Sequence, residues 1–174
     1  MEIYPISEDS IFFAEFIKKE IAKIKNRMNL KYLDMGAGSG ILAETTFKMG
    51  IKKENILCAD INQLSVWFVR KKGFNCIKSD LFKNLKDKKF DLITFNAPYL
   101  PGDKYDGGKD TTGGKKGDET ALSFLKQAKR HLNKNGKIFL LISSLTPFNR
   151  IKKFGVKIVD KKKLFFEELL ILDV

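Results

Sequence analysis

Four consecutive residues, Asn96-Ala97-Pro98-Tyr99, have the types and order that most clearly indicate a chemistry. The side-chain carbonyl of Asn96 and the backbone carbonyl of Ala97 are two acceptors that can hold both hydrogens of a planar NH2 group. Pro98 stiffens the turn, and Tyr99 can stack on such a group or cover it. An amide or aromatic amine is a weak nucleophile, because its lone pair is delocalised. Hydrogen bonds that orient this nitrogen and stabilise its developing charge therefore predict group transfer to planar nitrogen.

A glycine-rich turn, Asp34-Met35-Gly36-Ala37-Gly38-Ser39-Gly40, predicts a nucleoside-cofactor site. Glycines at alternate positions let the backbone pass close to a ligand before a helix starts. The spacing is Gly-x-Gly-x-Gly, which differs from the Gly-x-Gly-x-x-Gly of dinucleotide binders. Asp34 can receive the ammonium of a methionine moiety, directly or through water, but would repel a pyrophosphate. The residues assigned to the cofactor here are Asp34, Gly36, Ala37, Gly38 and Gly40.

Two further acidic residues follow apolar, strand-like runs. Asp60, followed by Ile61, can accept hydrogen bonds from both hydroxyls of a ribose. Asp80 can accept from an adenine amino group, and Leu81 can pack on the ring. Three such signatures, each after its own strand and in this order, indicate a nucleoside cofactor much more strongly than any one alone.

The elements that position these residues alternate between strand and helix. Strands are predicted at residues 30–35, 56–61, 74–78, 90–95, 137–143, 157–159 and 169–174. Helices are predicted at 41–49, 64–72, 120–132 and 147–154. An earlier helix, capped by Asp9 or Ser10, has an apolar face made of Phe12, Phe13, Phe16, Ile17, Ile21 and Ile24. This alternation predicts a doubly wound, parallel α/β sheet with ligands beyond the carboxyl ends of its strands.

Composition bounds the possible functions. A chain of 174 residues predicts one domain, with residues 1–27 as an N-terminal helical segment and 100–117 as a glycine-rich active-site loop. With two cysteines and one histidine, no metal site and no imidazole base is expected; Cys58 and Cys76 are predicted to be buried thiols. No membrane span or signal peptide is apparent, which predicts a cytoplasmic location.

The formal net charge of +12 favours acidic partners such as RNA, a ribosomal particle or an acidic protein. Only four of the basic residues are arginines, whereas specific nucleic-acid readers rely on arginine forks. Direct nucleic-acid binding is therefore the less favoured interpretation of the charge, and a lysine-rich solvated surface is the simpler one.

The Asn-x-Pro-Tyr segment resembles the Asn-Pro-Pro-Tyr motif of the HemK-like family of protein-glutamine N5-methyltransferases. The stretch from Tyr4 to Ser10, Tyr-Pro-Ile-Ser-Glu-Asp-Ser, is similar to the N-terminal signature of the short archaeal and eukaryotic branch. Gly113-Gly114-Lys115-Lys116-Gly117 is similar to that branch's Gly-Gly-x-x-Gly stretch. We also expect no counterpart of the extra N-terminal helical domain of the bacterial enzymes.

The resemblance implies a seven-stranded Rossmann-like methyltransferase sheet, mostly parallel, with an antiparallel strand near the C-terminus. It implies S-adenosyl-L-methionine as the cofactor, with Ser10 near it and Asn96 contacting it. The implied acceptor is the glutamine of a Gly-Gly-Gln loop in a class I translation release factor. A small zinc-binding activator subunit is the implied partner. Trp67, Phe68 and Phe74 are the candidates for an apolar docking surface, although the core is the favoured interpretation for each.

The sequence departs from the family pattern at three places. Ala97 replaces the first proline of the motif, which keeps the carbonyl but adds an N–H and is expected to loosen the turn. Ile6 stands where proline is expected, and residues 107–112 are additional to the glycine-rich loop. These departures bear on the acceptor rather than on the fold.

Three alternatives remain open at this point. N6-adenine methylation of RNA or DNA could use the same acceptor pair, although base-flipping DNA enzymes normally carry a recognition region that does not fit here. Protein-lysine methylation would gain little from Asn96, because an amine has a freely available lone pair. A non-catalytic binding module would leave the acceptor pair without a use.

Overall fold

A computed structural model describes residues 3–99, 113–114 and 116–174. Its centre is a seven-stranded sheet with the order β3-β2-β1-β4-β5-β7-β6. The strands are β1 (Tyr32–Met35), β2 (Ile56–Asp60), β3 (Asn75–Lys78), β4 (Phe90–Asn96), β5 (Leu132–Ser143), β6 (Lys157–Lys163) and β7 (Glu168–Asp173). The first five strands run parallel, and β7 is antiparallel to both of its neighbours, β5 and β6. The predicted fold class is confirmed.

Helices cover both faces of this sheet, as the alternation of elements predicts. They are α1 (Glu8–Ala22), α2 (Ile41–Lys48), α3 (Gln63–Lys71), α4 (Glu119–Ala128) and α5 (Phe148–Lys152). Side chains of α1, α2 and α3 share one core with Tyr32 of β1, whereas α4 and α5 share the other with Leu33. Because successive strand residues point to opposite faces, Asp34 lies on the same face as Tyr32.

The apolar face predicted for α1 is confirmed. Phe13, Phe16, Ile17 and Ile21 are buried, and Phe12 and Ile24 pack against them at the margin of the core. The predicted cap was wrong: the N-cap is Ser7, and both Asp9 and Ser10 lie buried inside the first turn. This shift matters because it turns the Asp9 side chain toward the end of β4.

Several boundaries differ from the predictions. Helix α4 ends at Ala128 and continues as a short 3-10 turn, and β5 begins at Leu132 rather than at residue 137. The polar residues at the start of β5 concealed this extension, which pairs Leu132 with Phe90 before the register shifts. Strand β6 reaches Lys163 for the same reason: paired edge-strand lysines leave no apolar signal in the sequence. Most of the loop predicted at 100–117 lies outside the described residues.

Both cysteines are buried and free, as predicted, and they face each other in the register of β2 and β3. In the part of the chain that the structure describes, no helix is long and apolar enough to cross a membrane.

Candidate active site

A cleft of about 560 Å³ lies at the carboxyl ends of the parallel strands, where ligands bind in sheets of this kind. Residues 96–99, the whole predicted chemical segment, line it. Six of the predicted cofactor residues also line it: Gly36, Gly38, Asp60, Ile61, Asp80 and Leu81. Ser10, Asp34, Ala37 and Gly40 are not among the lining residues. Three-dimensional folding therefore brings most of the predicted site together.

The glycine-rich turn after β1 needs glycine for two reasons. Its first two glycines, Gly36 and Gly38, have φ of 65° and 50°, in the left-handed region that favours glycine. A Cβ on Gly36 would also lie 2.9 Å from Cε2 of Phe95, so the turn packs closely against the end of β4. The N–H groups of Gly36 and Ala37 donate to the carbonyl of Ala59, which ties the turn to β2.

Asp34 lies in β1, behind this turn. Its side chain is 1% exposed, and neither carboxylate oxygen has a hydrogen-bond partner among the described residues. Burial, together with the negative charge of Asp60, raises the pKa of Asp34 to about 8. A buried carboxyl group without a partner is costly unless a cation comes close to it, which fits a site for a ligand's ammonium.

Asp60 ends β2 and is held rigidly at the cleft wall. Its Oδ2 accepts the N–H of Gly38 at 2.8 Å, and its Oδ1 accepts the N–H of Asn62 at 2.8 Å. Asn62 in turn caps α3 by accepting from the N–H of Leu64. The carboxylate therefore has a fixed orientation at the point where the sequence predicts a ribose.

The turn after β3 presents Asp80 and Leu81. Leu81 has φ of 50°, which is unusual for a residue with a branched side chain, and the Ser79 hydroxyl donates to its carbonyl at 2.6 Å. Strain of this kind is held in place by its surroundings and is common at ligand sites. Asp80 is exposed and forms an ion pair with Lys83 at 2.6 Å.

The segment from Asn96 to Tyr99 leaves the sheet in a defined way. β4 includes Asn96, which pairs with Leu141 of β5, and the N–H of Ala97 donates to the Leu141 carbonyl at 3.2 Å. Ala97 stands where the family motif has proline, which has no N–H. The N–H of Ala97 thus extends the β4–β5 pairing by one residue. The expectation that alanine loosens the turn stays a prediction, although the extra donor is used in this pairing.

Only one end of the Asn96 side-chain amide is hydrogen-bonded to the described residues. Its Nδ2 donates to Oδ2 of Asp9 at 3.0 Å, whereas its buried Oδ1 has no hydrogen-bond partner among the described residues. Buried polar groups in proteins are nearly always bonded, so an acceptor left without a donor at a cleft wall points to a ligand N–H.

Asp9 also lines the cleft, and its contacts there were not revealed by the sequence. Its carboxylate accepts hydrogen bonds from Asn96, from the Tyr4 hydroxyl at 2.9 Å and from the Tyr99 hydroxyl at 3.4 Å. The hydroxyls of Ser7 and Ser10 donate to its other oxygen. Burial alone would raise the pKa of Asp9, but the hydrogen bonds from Ser7, Asn96 and Tyr4 outweigh it and lower the pKa. An acidic residue in a helix's first turn is ordinarily interpreted as a cap, which concealed this role.

Tyr99 remains a neutral phenol. Burial, and then the negative charge of Asp9, raise the pKa of its hydroxyl well above the ordinary value. Its O–H is consequently a donor to Asp9 across the working pH range. Ser10 does not line the cleft, and its hydroxyl donates to the Asp9 carboxylate at 3.0 Å.

The residues that precede α4 close one side of the cleft. The Gly113 carbonyl accepts from the N–H of Thr120, and a Cβ on Gly113 would lie 2.6 Å from the Pro98 carbonyl oxygen. Arg150 of α5 holds Asp118, the N-cap of α4, at 2.8 Å. Gly114 and Thr120 line the cleft. His131 is not a lining residue; it stacks on Phe82 and contacts the carbonyl of Lys88.

The profile of the family described as methyltransferase small domain matches residues 15–166. This chain is 33% identical to a protein of Methanocaldococcus jannaschii that is named as a candidate protein N5-glutamine methyltransferase. The alignment, 195 positions long with its gaps, covers 99% of this chain and 91% of that protein.

Solved structures share the fold. In a complex from E. cuniculi, described as an Mtq2–Trm112 complex responsible for methylating the eRF1 translation termination factor, one chain matches with a TM-score of 0.78 and 21% identity, covering 99% of this chain and 98% of that one. The 16S rRNA N2 G1207 methyltransferase of T. thermophilus, solved with AdoMet and guanosine, matches with a TM-score of 0.69 and 20% identity, covering 96% of this chain and 43% of that one.

Proposed function

The chain belongs to the methyltransferase small domain family and is a methyltransferase, and from this premise we propose the reaction that its cleft performs. The reaction is transfer of a methyl group from S-adenosyl-L-methionine to the side-chain nitrogen of the glutamine in the Gly-Gly-Gln loop of a translation release factor.

The observation that carries this proposal is the state of Asn96. Its Oδ1 is buried, has no partner in the described chain and belongs to a residue that lines the cleft. Its NH2 group donates one hydrogen to Asp9, so Oδ1 is the end of the amide that is left without a partner. A primary amide such as glutamine supplies the N–H that this acceptor lacks.

The residues present fit the cofactor. The glycine-rich turn lets its backbone come close to a ligand, and the unpartnered carboxyl of Asp34 behind the turn suits the ammonium of a methionine moiety. Asp60 would hold the ribose hydroxyls. Ile61, Asp80 and Leu81 would surround the adenine. When bound, the cofactor supplies a methyl group on a positively charged sulfur, which is electrophilic enough to react with a weak nucleophile.

The protein's own contribution is orientation and charge stabilisation. Asn96 Oδ1 and the Ala97 carbonyl would accept both N–H groups of the glutamine amide and aim its nitrogen along the line of transfer. The same acceptors stabilise the positive charge that develops on that nitrogen. Tyr99 would cover the amide plane. No histidine lines the cleft in the described chain, which suits a reaction whose proton can leave after transfer.

A specific observation favours a second candidate, methylation of an exocyclic amino group in RNA. The structural neighbour from T. thermophilus is a 16S rRNA methyltransferase, and this chain carries a net charge of +12. The M. jannaschii protein named for glutamine methylation aligns with nearly the whole chain and at higher identity than the rRNA enzyme, so glutamine is the proposed acceptor. Methylation of lysine is disfavoured, because an amine with a freely available lone pair would gain little from the acceptor of Asn96. A purely binding role is disfavoured by the intact acceptor pair.

We further propose that the chain acts as one methyltransferase domain in the cytoplasm, with residues 1–27 contributing to the site through Asp9. A small zinc-binding activator subunit would dock on the outer face of α3. There Trp67 is 55% exposed and Phe68 is 37% exposed, whereas Phe74 is buried. The interpretation of Phe74 as core is confirmed, and that of Trp67 and Phe68 as core was wrong.

The direct test uses the purified protein, with and without a zinc-binding activator subunit, and cofactor labelled on its methyl group. One arm contains a release factor, a second contains the same factor with alanine in place of the Gly-Gly-Gln glutamine, and a third contains total RNA. We expect label only in the intact release factor. Label only in RNA would replace the proposed acceptor with a nucleobase.

The Asn96→Ala variant serves as the catalytic control in the same assay. Removing the acceptor should lower transfer by about 100-fold or more while changing cofactor affinity only modestly, because the lost hydrogen bond acts mainly in the transition state. Turnover at the unsubstituted rate would show that Asn96 does not hold the acceptor amide.

A further inference from the structure

The asparagine amide can face the cleft in two ways that have nearly the same shape. In one orientation it presents its oxygen to the acceptor, and in the other it presents its NH2 group. Only the first can hold a substrate N–H, because two donors repel each other. The side chain of Asn96 therefore needs a neighbour that distinguishes its two ends.

Asp9 has the chemistry that makes this distinction. An ionised carboxylate can only accept hydrogen bonds, so it pairs with the Nδ2 end of an amide and rejects the Oδ1 end. The bond from Asn96 Nδ2 to Asp9 Oδ2 is 3.0 Å long and joins residues that lie 87 positions apart in the chain. Bonds of this kind to a charged acceptor are roughly twice as strong as those between neutral groups.

The carboxylate is itself held from several directions. The hydroxyls of Tyr4 and Tyr99 donate to the same Oδ2, and the hydroxyls of Ser7 and Ser10 donate to Oδ1. Asp9 is almost completely buried, so it has little freedom to turn away from Asn96. The helix start at Ser7 sets this position, because it puts Asp9 in the first turn of α1, facing the end of β4.

We infer that Asp9 is a positioning residue for methyl transfer: it fixes the amide of Asn96 with Oδ1 directed to the acceptor nitrogen. The inference rests on the proposed function, and it deepens it by assigning the N-terminal segment a part in the reaction. The hydrogen bond from the Tyr99 hydroxyl to Asp9 would position the Tyr99 ring over the acceptor amide in the same way.

The test replaces Asp9 with asparagine, which has the same shape but can pair with either end of Asn96. We expect the kcat for release-factor methylation to fall by about 10- to 100-fold, which corresponds to loss of one hydrogen bond to a charged group. The cofactor dissociation constant should change by less than about threefold, because Asp9 acts through Asn96.

The matched control is Asp91→Asn. Asp91 also accepts the side-chain amide of an asparagine, Asn133, at 2.7 Å, but neither residue lines the cleft. This variant should keep its kcat within about twofold.

A double variant gives a further test. Asp9→Asn should have no additional effect on the rate in an Asn96→Ala background, measured in single turnovers with excess enzyme, since the effects of two residues that act as a unit are not additive.

A second measurement does not depend on turnover. The side-chain amide signals of Asn96, assigned by their loss in Asn96→Ala, should move in the NMR spectrum of cofactor-bound Asp9→Asn and stay in place in Asp91→Asn. Unchanged Asn96 signals, or full activity of Asp9→Asn beside an active unsubstituted enzyme, would overturn the inference. An unsubstituted enzyme that leaves the release factor unmethylated would instead refute the proposed function, while the NMR comparison would still decide the role of Asp9.

Discussion

Two buried carboxyl groups near the cleft differ in protonation because their neighbours differ. Asp9 receives several hydrogen bonds, which lower its pKa, so it is ionised at neutral pH. The carboxylate oxygens of Asp34 have no hydrogen bond of ordinary geometry to the described residues. Burial and then the charge of Asp60 raise its pKa to about 8, against smaller lowering by the Ala43 N–H and the Thr94 hydroxyl, so it is mostly protonated. Asp9 can therefore accept hydrogen bonds at any physiological pH, whereas Asp34 can release a proton when a cation binds beside it.

Proton release on cofactor binding follows from this difference. A cation near Asp34 favours its ionised form, so at pH 6.5 binding of S-adenosyl-L-methionine should release about one proton. Calorimetric titration in two buffers of different ionisation enthalpy measures this number. Asp34→Asn should bind without proton release. An unsubstituted protein that releases no proton would show that the ammonium does not reach this carboxyl.

The same pKa shift affects stability without ligand. Because the pKa of Asp34 in the folded state lies above its ordinary value of 3.8, the folded state binds more protons than the unfolded state between 3.8 and about 8. The Asp34 contribution to the free energy of unfolding is therefore present at low pH and lost as pH rises through this range. The slope contributed by this residue should disappear in Asp34→Asn.

At the scale of elements, the end of β4 is held by the strand beside it. The N–H of Ala97 donates to Leu141, so the motif starts while the chain is still paired with β5. The family's usual proline cannot make this bond, but it restricts the unfolded chain. Alanine thus constrains this turn through a hydrogen bond in the folded state, whereas proline would constrain it by restricting the unfolded chain.

This account predicts a small effect for Ala97→Pro. Loss of one hydrogen bond costs about 1 kcal/mol, and the proline offsets most of that through unfolded-state entropy. The melting temperature should change by less than about 4 °C, with methyl transfer within about threefold of the unsubstituted rate. Thermal unfolding and the labelled assay measure both. A fall above tenfold would mean that the Ala97 N–H positions the motif in a way proline cannot.

The turn before α4 is a second element whose fit to the motif can be tested. A Cβ on Gly113 would lie 2.3 Å from the Gly117 carbonyl oxygen, and the Pro98 carbonyl is nearly as close. Gly113→Ala must therefore displace the turn from the motif, and we expect kcat/KM to fall by about tenfold or more.

The control for that variant is Gly155→Ala. Gly155 has φ of 75° but nothing within 4 Å of an added Cβ. The Gly155→Ala variant should therefore lose about 1 kcal/mol of stability and keep the methyl-transfer rate of the original enzyme. Equal losses of rate in the two variants would indicate that general destabilisation, and not contact with the motif, explains the result.

At the scale of the whole molecule, the two edges of the sheet present different surfaces. The β3 edge lies beside α3 and its exposed Trp67 and Phe68, whereas the β6 edge carries exposed lysines. An exposed tryptophan on a helix is the kind of side chain that dominates binding between proteins. The proposed activator subunit would cover this surface and leave the cleft open to a release factor.

The prediction at this scale is that Trp67→Lys weakens binding of the activator subunit by at least about tenfold. Cofactor affinity of the isolated chain should not change, because Trp67 does not line the cleft. Phe165→Lys is a suitable control, since Phe165 is 91% exposed but lies in the β6–β7 turn at the other side of the sheet. Calorimetry or pull-down with the purified subunit measures the difference.

The sequence by itself determined the features that depend on local chemistry and on order along the chain. Alternating strands and helices predicted the sheet, and the turn residues after β1, β2 and β4 predicted most of the cleft, because parallel strands bring their carboxyl ends to one edge. The chemistry of the Asn96–Tyr99 segment followed from residue types alone.

Tertiary structure alone decided what depends on contacts between distant residues. No local pattern shows that Asp9 meets Asn96 across 87 residues, that Ala97 uses its N–H on β5, or that Trp67 lies outside the core. Each depends on the distance and direction between side chains of different elements, which only packing of α1, β4 and β5 sets. For the same reason, Asn96 could be assigned as an acceptor from the sequence, but what orients it could not.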